Sequence, residues 1–340
     1  MSSSGVTRQG QQGTRPGWQA RPERAARRRG RRGEQAMVPP AEFTSYYGKP
    51  VINSPVWHSP DIPGYFFLGG LAGASSLLGA GAQAMGRPAL ARAAKAGALG
   101  AISLSMAGLV HDLGRPARFV NMLRVVKVTS PMNVGSWILA GYVPATGVAA
   151  AAALTGRVPR LGATASAAAA LLGPAVAAYT AVLVSDTAVP AWHEGHRELP
   201  FIFTSSAAMA AGGLGLLAAP AGQNAPARNL ALLGAAAEAA AFELMTRRMG
   251  MVAEPYSAGR SGAYLRASRV LSAAGAAGAL LGRRHRAVAA LSGAALLGAS
   301  AATRWGVFHA GLASAADPKY TVVPQRQRRA DGGPASAEAG

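Results

Sequence analysis

The chain contains no cysteine. This excludes disulfides, cysteine-ligated iron–sulfur clusters and covalently attached c-type haem within it. Acidic residues are also scarce, with 14 Asp and Glu against 34 Lys and Arg, and charged residues of both signs make up only 14% of the 340 residues. That shortage is uneven. Long stretches carry no charge at all, such as "LGATASAAAALLGPAVAAYTAVLVS" over Leu161–Ser185. Such a run exceeds the roughly 20 residues needed to cross a hydrocarbon core of about 30 Å. Length alone would suggest two soluble domains. One apolar run fits a buried core helix, but several in series do not. The pattern predicts an all-α, polytopic membrane protein.

Much of the apolarity comes from Ala and Gly rather than Leu and Ile, and mean hydropathy is only +0.18. Small residues let helix backbones approach closely, which favours a tight bundle over isolated spans. Eight spans are expected, roughly at 63–86, 93–112, 132–155, 161–186, 199–220, 228–247, 266–282 and 286–304. They divide into a first four-helix bundle over 63–186 and a second over 187–304. Residues 41–62, rich in aromatics and prolines, read as an interfacial segment, because Tyr and Trp accumulate at membrane surfaces.

The net charge of +20 is concentrated at the N-terminus, where nine arginines fall in the first 32 residues. No nucleic-acid fold signature accompanies the block "RPERAARRRGRRG" (Arg21–Gly33), and no apolar core follows it as in a signal peptide. Residues 1–40 are therefore expected to be a disordered basic tail against anionic lipid heads. With eight spans both termini share a side. That side carries most of the Lys and Arg, so both termini, including a tail over 305–340, are expected in the cytoplasm, with the protein in the plasma membrane.

The chemistry is expected where the spans meet water. "HDLGRPARF" (His111–Phe119) ends the second span, Asp61 and Tyr65 start the first, "TSPMNVGSW" (Thr129–Trp137) opens the third, and Tyr179 and Asp186 lie towards the end of the fourth. In an antiparallel bundle these four ends share one face and form a polar mouth. The bland reading of "HDLGRPARF" is a helix end, with Gly114 as stop, Pro116 blocking continuation and arginines facing lipid phosphates. Glu238 falls in mid-span, either as a proton-relay carboxylate or as a glutamate satisfied between helices. Glu243 can pair with Arg247, and His193 and His196 read as a solvated loop. Bis-histidine haem needs two facing histidines inside the bundle. His58, His111, His193, His196, His285 and His309 all read as loop or helix-end residues, so no haem and no metal site is expected.

Three segments in order, Tyr46–Leu78, His111–Leu139 and Tyr179–Gly213, resemble the NrfD family, the membrane subunits of polysulfide-reductase-type complexes. The resemblance implies a haem-free subunit exchanging electrons between menaquinone or ubiquinone and a ferredoxin-like [4Fe–4S] partner. That partner joins a molybdopterin-dependent catalytic subunit. It also implies a quinone site in the first bundle. By motif, Asp112 and His111 become the candidate catalytic pair, Asp112 as proton exchanger and His111 as a bond to a quinone carbonyl. Tyr65, Asp61, Asn133, Ser136, Trp137 and Tyr179 become candidate quinone contacts. Arg115 and Arg118 are expected to hold the loop against a partner or lipid. A proton-coupled secondary transporter is the alternative, and would show broken helices in matching halves.

Overall fold

A computed structural model describes residues 50–114, 117–282 and 285–331. The expected N-terminal basic tail, residues 41–49 of the interfacial segment, Arg115, Pro116 and the last nine residues lie outside the described residues.

The described residues form helices and no strands. In order they are α1 (Asp61–Ala84), α2 (Pro88–Leu113), α3 (Ala117–Met122), α4 (Pro131–Thr155), α5 (Pro159–Ser185), α6 (Pro190–Glu194), α7 (Leu199–Ala218), α8 (Ala225–Met249), α9 (Glu254–Ser257), α10 (Gly259–Leu281), α11 (Arg286–Ala316) and α12 (Lys319–Asp331). The boundaries follow local chemistry. Proline opens α2, α4, α5 and α6, where its missing N–H costs nothing. Gly114 and Gly156 end α2 and α4 with φ of 67° and 69°, a left-handed turn that suits glycine.

Six helices are long and apolar enough to cross a membrane: α1, α2, α4, α5, α7 and α11. This is fewer than the eight spans read from the sequence. The other two candidates exist as helices of spanning length, 25 residues in α8 and 23 in α10. They are not apolar enough, because α8 carries Arg228, Glu238, Glu243, Arg247 and Arg248, and α10 carries Arg260, Arg266 and Arg269.

α1 packs chiefly on α2 and α5, and α4 packs on α5 and α2. In the second half α7 packs on α8 and α11, and α10 packs on α11. α1 and α7 join the halves and lie at the centre, with 72% and 61% of their most apolar stretches buried against 33–44% in the other four apolar helices. Glycine makes the closest crossings. A Cβ on Gly73 of α1 would sit 2.3 Å from the carbonyl oxygen of Gly173 in α5. In the second half a Cβ on Gly293 of α11 would sit 2.3 Å from the Gly213 oxygen of α7. Both crossings use the close backbone approach that small residues permit in membranes.

The end of α11 corrects the sequence reading. The eighth span was expected to stop at 304, with a tail beyond. Instead the helix continues to Ala316 with Val307, Phe308, Ala310 and Gly311 buried. Arg304 does not end it at water. It is wholly buried, with its guanidinium 3.9 Å above the Phe203 ring and Nη2 donating to the Phe203 carbonyl at 2.6 Å. His309, read as a loop or helix-end residue, therefore lies within α11 and stacks on Tyr264, ring centroids 5.6 Å apart.

The irregular segment before α1 is tied to the loops of the second half. Trp57 stacks on Trp192 at 5.5 Å, and Trp192 is fully buried with its indole N–H donating to the Val307 carbonyl at 2.8 Å. α12 docks beside these loops through Arg328–Glu194 at 3.0 Å and Lys319–Glu254 at 2.6 Å.

Candidate functional site

A cavity of about 110 Å³ lies among α1, α2, α4 and α5 at the end where α2 stops and α4 begins. Four of the residues singled out in the sequence line it: Tyr65, Asp112, Ser136 and Tyr179. Each arrives from a different helix, which is why the sequence shows them as four separate motifs.

Tyr179 is 8% exposed, and its ring meets that of Tyr65 edge-on with centroids 6.5 Å apart. It fits because α4 has no side chain at Gly135, where a Cβ would stand 2.5 Å from Tyr179 Cε2. The Tyr179 hydroxyl is buried without a hydrogen-bond partner among the described residues. A buried hydroxyl without a partner costs about 1–3 kcal/mol, so an acceptor arriving in the cavity would relieve a standing penalty. Ser136 is already satisfied, donating to the Met132 carbonyl at 2.9 Å. Ser105 of α2 donates to the Tyr65 carbonyl at 3.2 Å and fixes α1 against α2.

Asp112 and Asp61 form two crossed links between the segment leading into α1 and the end of α2. Asp112 Oδ1 accepts the His58 backbone N–H at 3.3 Å and lies 3.4 Å from His58 Nδ1. Asp61 Oδ2 lies 2.8 Å from His111 Nδ1. The carboxylates are inside these pairs, with Asp112 and Asp61 side chains 14% and 21% exposed, whereas His58 and His111 are 76% and 78% exposed. The Asp112–His58 pair therefore runs from the cavity outwards to the surface.

The geometry separates the other expected residues from the cavity. His111, on the exposed side of its pair with Asp61, does not line it, and neither does Asp61. Asn133 and Trp137 also stand off it, because their polar groups are spent on the loop before α4. Asn133 accepts from Lys127 N–H at 2.6 Å and donates to the carbonyls of Met122 at 2.6 Å and Val125 at 2.8 Å. The Trp137 indole donates to the Val125 carbonyl at 3.3 Å. Arg118 donates to the Leu113 carbonyl at 3.0 Å, closing the turn after α2. Sequence reading missed Trp57, Met122 and Met132 in the cavity wall. Only the aromatic–proline character of the first segment hinted at one of them.

Glu238 lies far along the chain and in the other half. It is 6% exposed, as a mid-helix carboxylate facing neighbouring helices should be, and one of its oxygens has no hydrogen-bond partner among the described residues. Around it run Ser206–Ser300 and Ser268–Thr303 hydroxyl contacts, both at 2.8 Å. Arg304 supplies opposite charge without a contact ion pair. Arg304 was missed in the sequence because it stood at the expected helix end. Phe66 of α1 bridges the two regions, with its ring 6.0 Å from Tyr65 and 5.9 Å from Phe203. Glu243 pairs with Arg247 at 2.7 Å, as its spacing predicts. Among the described residues, no three His, Asp or Glu side chains converge as a metal site.

Residues 50–255 match the family described as "Polysulphide reductase, NrfD", which is more than half of the chain and includes all four helices around the Tyr65–Tyr179 cavity. No individually curated protein matches the sequence. The chain therefore belongs to the NrfD family and is a multi-pass membrane subunit of the quinone-linked, polysulphide-reductase type of oxidoreductase.

Proposed function

We propose that the cavity among α1, α2, α4 and α5 receives the head group of a menaquinone or ubiquinone. The observation that carries this is the buried, unpartnered Tyr179 hydroxyl on a cavity that also holds an aspartate. Quinone supplies two-electron, two-proton chemistry. Tyr179 donates a hydrogen bond to one carbonyl oxygen, and the Tyr65 ring supports it. Asp112 takes or gives the proton, which passes to water through His58, whose side chain is largely exposed. Asp61 and His111 hold the rim and offer a second exit. The cavity is narrow, and its lining methionines Met122 and Met132 are flexible enough to admit a ring.

Electrons come from, or pass to, a ferredoxin-like [4Fe–4S] subunit joined to a molybdopterin-dependent catalytic subunit. Support for a protein partner near this mouth comes from the loop before α4, where Val125, Val126 and Val128 are 63%, 69% and 81% exposed beside Arg124 and Lys127. We read α8 and α10 as two further spans, completing two four-helix bundles, α1–α2–α4–α5 and α7–α8–α10–α11. Their lengths and their packing on α7 and α11 support this. Both termini then face the cytoplasm by the distribution of Lys and Arg. Glu238 acts as a relay carboxylate between the bundles' polar residues.

The test is quinol turnover by the purified complex carrying Tyr179→Phe or Asp112→Asn. Each is expected to lower kcat by about tenfold to a hundredfold, the scale of a lost proton-transfer or orienting group. Activity of the partner subunits with an artificial dye should stay intact. Unchanged quinol turnover in both variants would refute the site.

A further inference from the structure

α8 packs along α7, and α10 packs along α11, but α8 and α10 touch each other only slightly. Between them runs a slot of about 580 Å³, far larger than the cavity of the first half. This is within the range of about 300–1,000 Å³ typical of sites for small ligands. Its walls are mostly the methyl groups and aliphatic chains of residues such as Leu232, Ala235, Ala239, Ala273 and Ala276, with one polar spot where Glu238, Ser268 and Thr303 reach the wall. Alanine on both facing helices makes the slot wide, because neither side reaches across it.

The slot opens at one end into a second depression of about 420 Å³, with Phe242, Leu265 and Arg269 common to both. That depression also carries Arg266. Its acidic residue, Glu254, is engaged by Lys319 at 2.6 Å and by Tyr320 at 3.2 Å. Glu243 on the slot rim is engaged by Arg247. Arg269 rests 5.8 Å from the Phe242 ring, and Arg266 reaches only the Ser257 carbonyl at 3.5 Å. Neither arginine has a carboxylate within ion-pair distance among the described residues. The result is a mainly apolar slot, polar at Glu238, that ends in two arginines without a contact ion pair among the described residues.

We propose that this groove binds one anionic phospholipid, with an acyl chain along the α8–α10 slot and its phosphate on Arg266 and Arg269. The shape matches an amphiphile whose charged end lies near the interface, and the charge complements an anionic head group. The proposal rests on α8 and α10 lying in the membrane. The occupant wedges two helices that have little contact of their own, so it also holds the second half together.

The test uses the intact complex, extracted gently from membranes and analysed by native mass spectrometry for bound phosphatidylglycerol-class lipid. Wild type should keep one such lipid at this chain. Arg266→Gln with Arg269→Gln should weaken retention by about tenfold or more. Ala239→Trp, which fills the slot and leaves both arginines, should do the same. In wild type, added phosphatidylglycerol should raise the unfolding temperature and phosphatidylcholine should not. Equal lipid retention in all variants, or equal stabilisation by both lipids, would overturn the lipid site alone. A separate variant, Leu233→Cys, exploits the cysteine-free background and places a thiol on the outward face of α8. Labelling of that thiol by a water-soluble maleimide would instead overturn the membrane placement of α8, and the lipid site with it. Protection of the thiol supports both.

Discussion

Arg304 lies over the ring of Phe203 at 3.9 Å and donates to the carbonyl of the same residue at 2.6 Å. One arginine thus fastens α11 to α7 twice, while its charge faces Glu238 on α8. Its Nε and Nη1 have no hydrogen-bond partner among the described residues. Removing one member of a buried charged pair costs about 3–5 kcal/mol, because the other is left uncompensated. Arg304→Ala should therefore destabilise the protein on that scale. Glu238→Gln in the same chain should recover part of the loss. Thermal unfolding in detergent of the two single variants and the double variant measures the coupling, and strictly additive losses would show that the charges are independent.

Glu238→Gln alone also tests proton movement. If Glu238 relays protons, this nearly isosteric change should slow quinol turnover and lower the membrane potential formed in vesicles. Turnover and potential at wild-type values would remove that role.

Gly135→Ala should act on the cavity more than on the fold. The added Cβ would stand 2.5 Å from the Tyr179 ring, so Tyr179 must swing away. Overpacking of this kind costs about 1–3 kcal/mol. The expected result is a modest fall in unfolding temperature with a larger loss of quinol turnover. Full turnover with Gly135→Ala would mean that the ring position is unimportant.

Glu198 and Arg248 join the start of α7 to the end of α8, with Nε and Nη2 donating to the two carboxylate oxygens at 2.6 and 2.7 Å. These hydrogen bonds hold the Glu198 carboxyl below its ordinary value of 4.5. A lowered value in the folded state means the stabilisation is complete above the ordinary value and disappears as pH falls through the folded one. Unfolding temperature should therefore drop on acidification below about 4.5, and Arg248→Gln should flatten that drop. Parallel acid limbs in the two proteins would contradict the assignment.

Asn133→Ala should release the loop before α4. Three hydrogen bonds from that side chain hold Met122, Val125 and Lys127. Each contributes about 0.5–1.5 kcal/mol net. Amide hydrogen exchange should quicken at residues 122–128 with little change elsewhere, and unchanged exchange there would show that the loop is held by other contacts.

The sequence by itself determined the helices and four of the side chains that line the cavity, Tyr65, Asp112, Ser136 and Tyr179. Uncharged runs of spanning length predict helices, and proline and glycine mark where they start and stop. The residues of "HDLGRPARF" and "YTAVLVS" were legible because charge or a tyrosine at the end of an apolar run has few other uses. Local pattern cannot tell which side chain turns inwards. Tertiary structure decided that Asp112 reaches the cavity while His111, one residue earlier, stays at the surface paired with Asp61. It gave Asn133 to a loop rather than to the cavity. It also buried Arg304, where the sequence shows an arginine that would normally end a span. In each case the deciding partner, whether Asp61, Val125 or Phe203, lies on another element. Contacts between elements set these outcomes, and a one-dimensional pattern of charge and apolarity does not contain them.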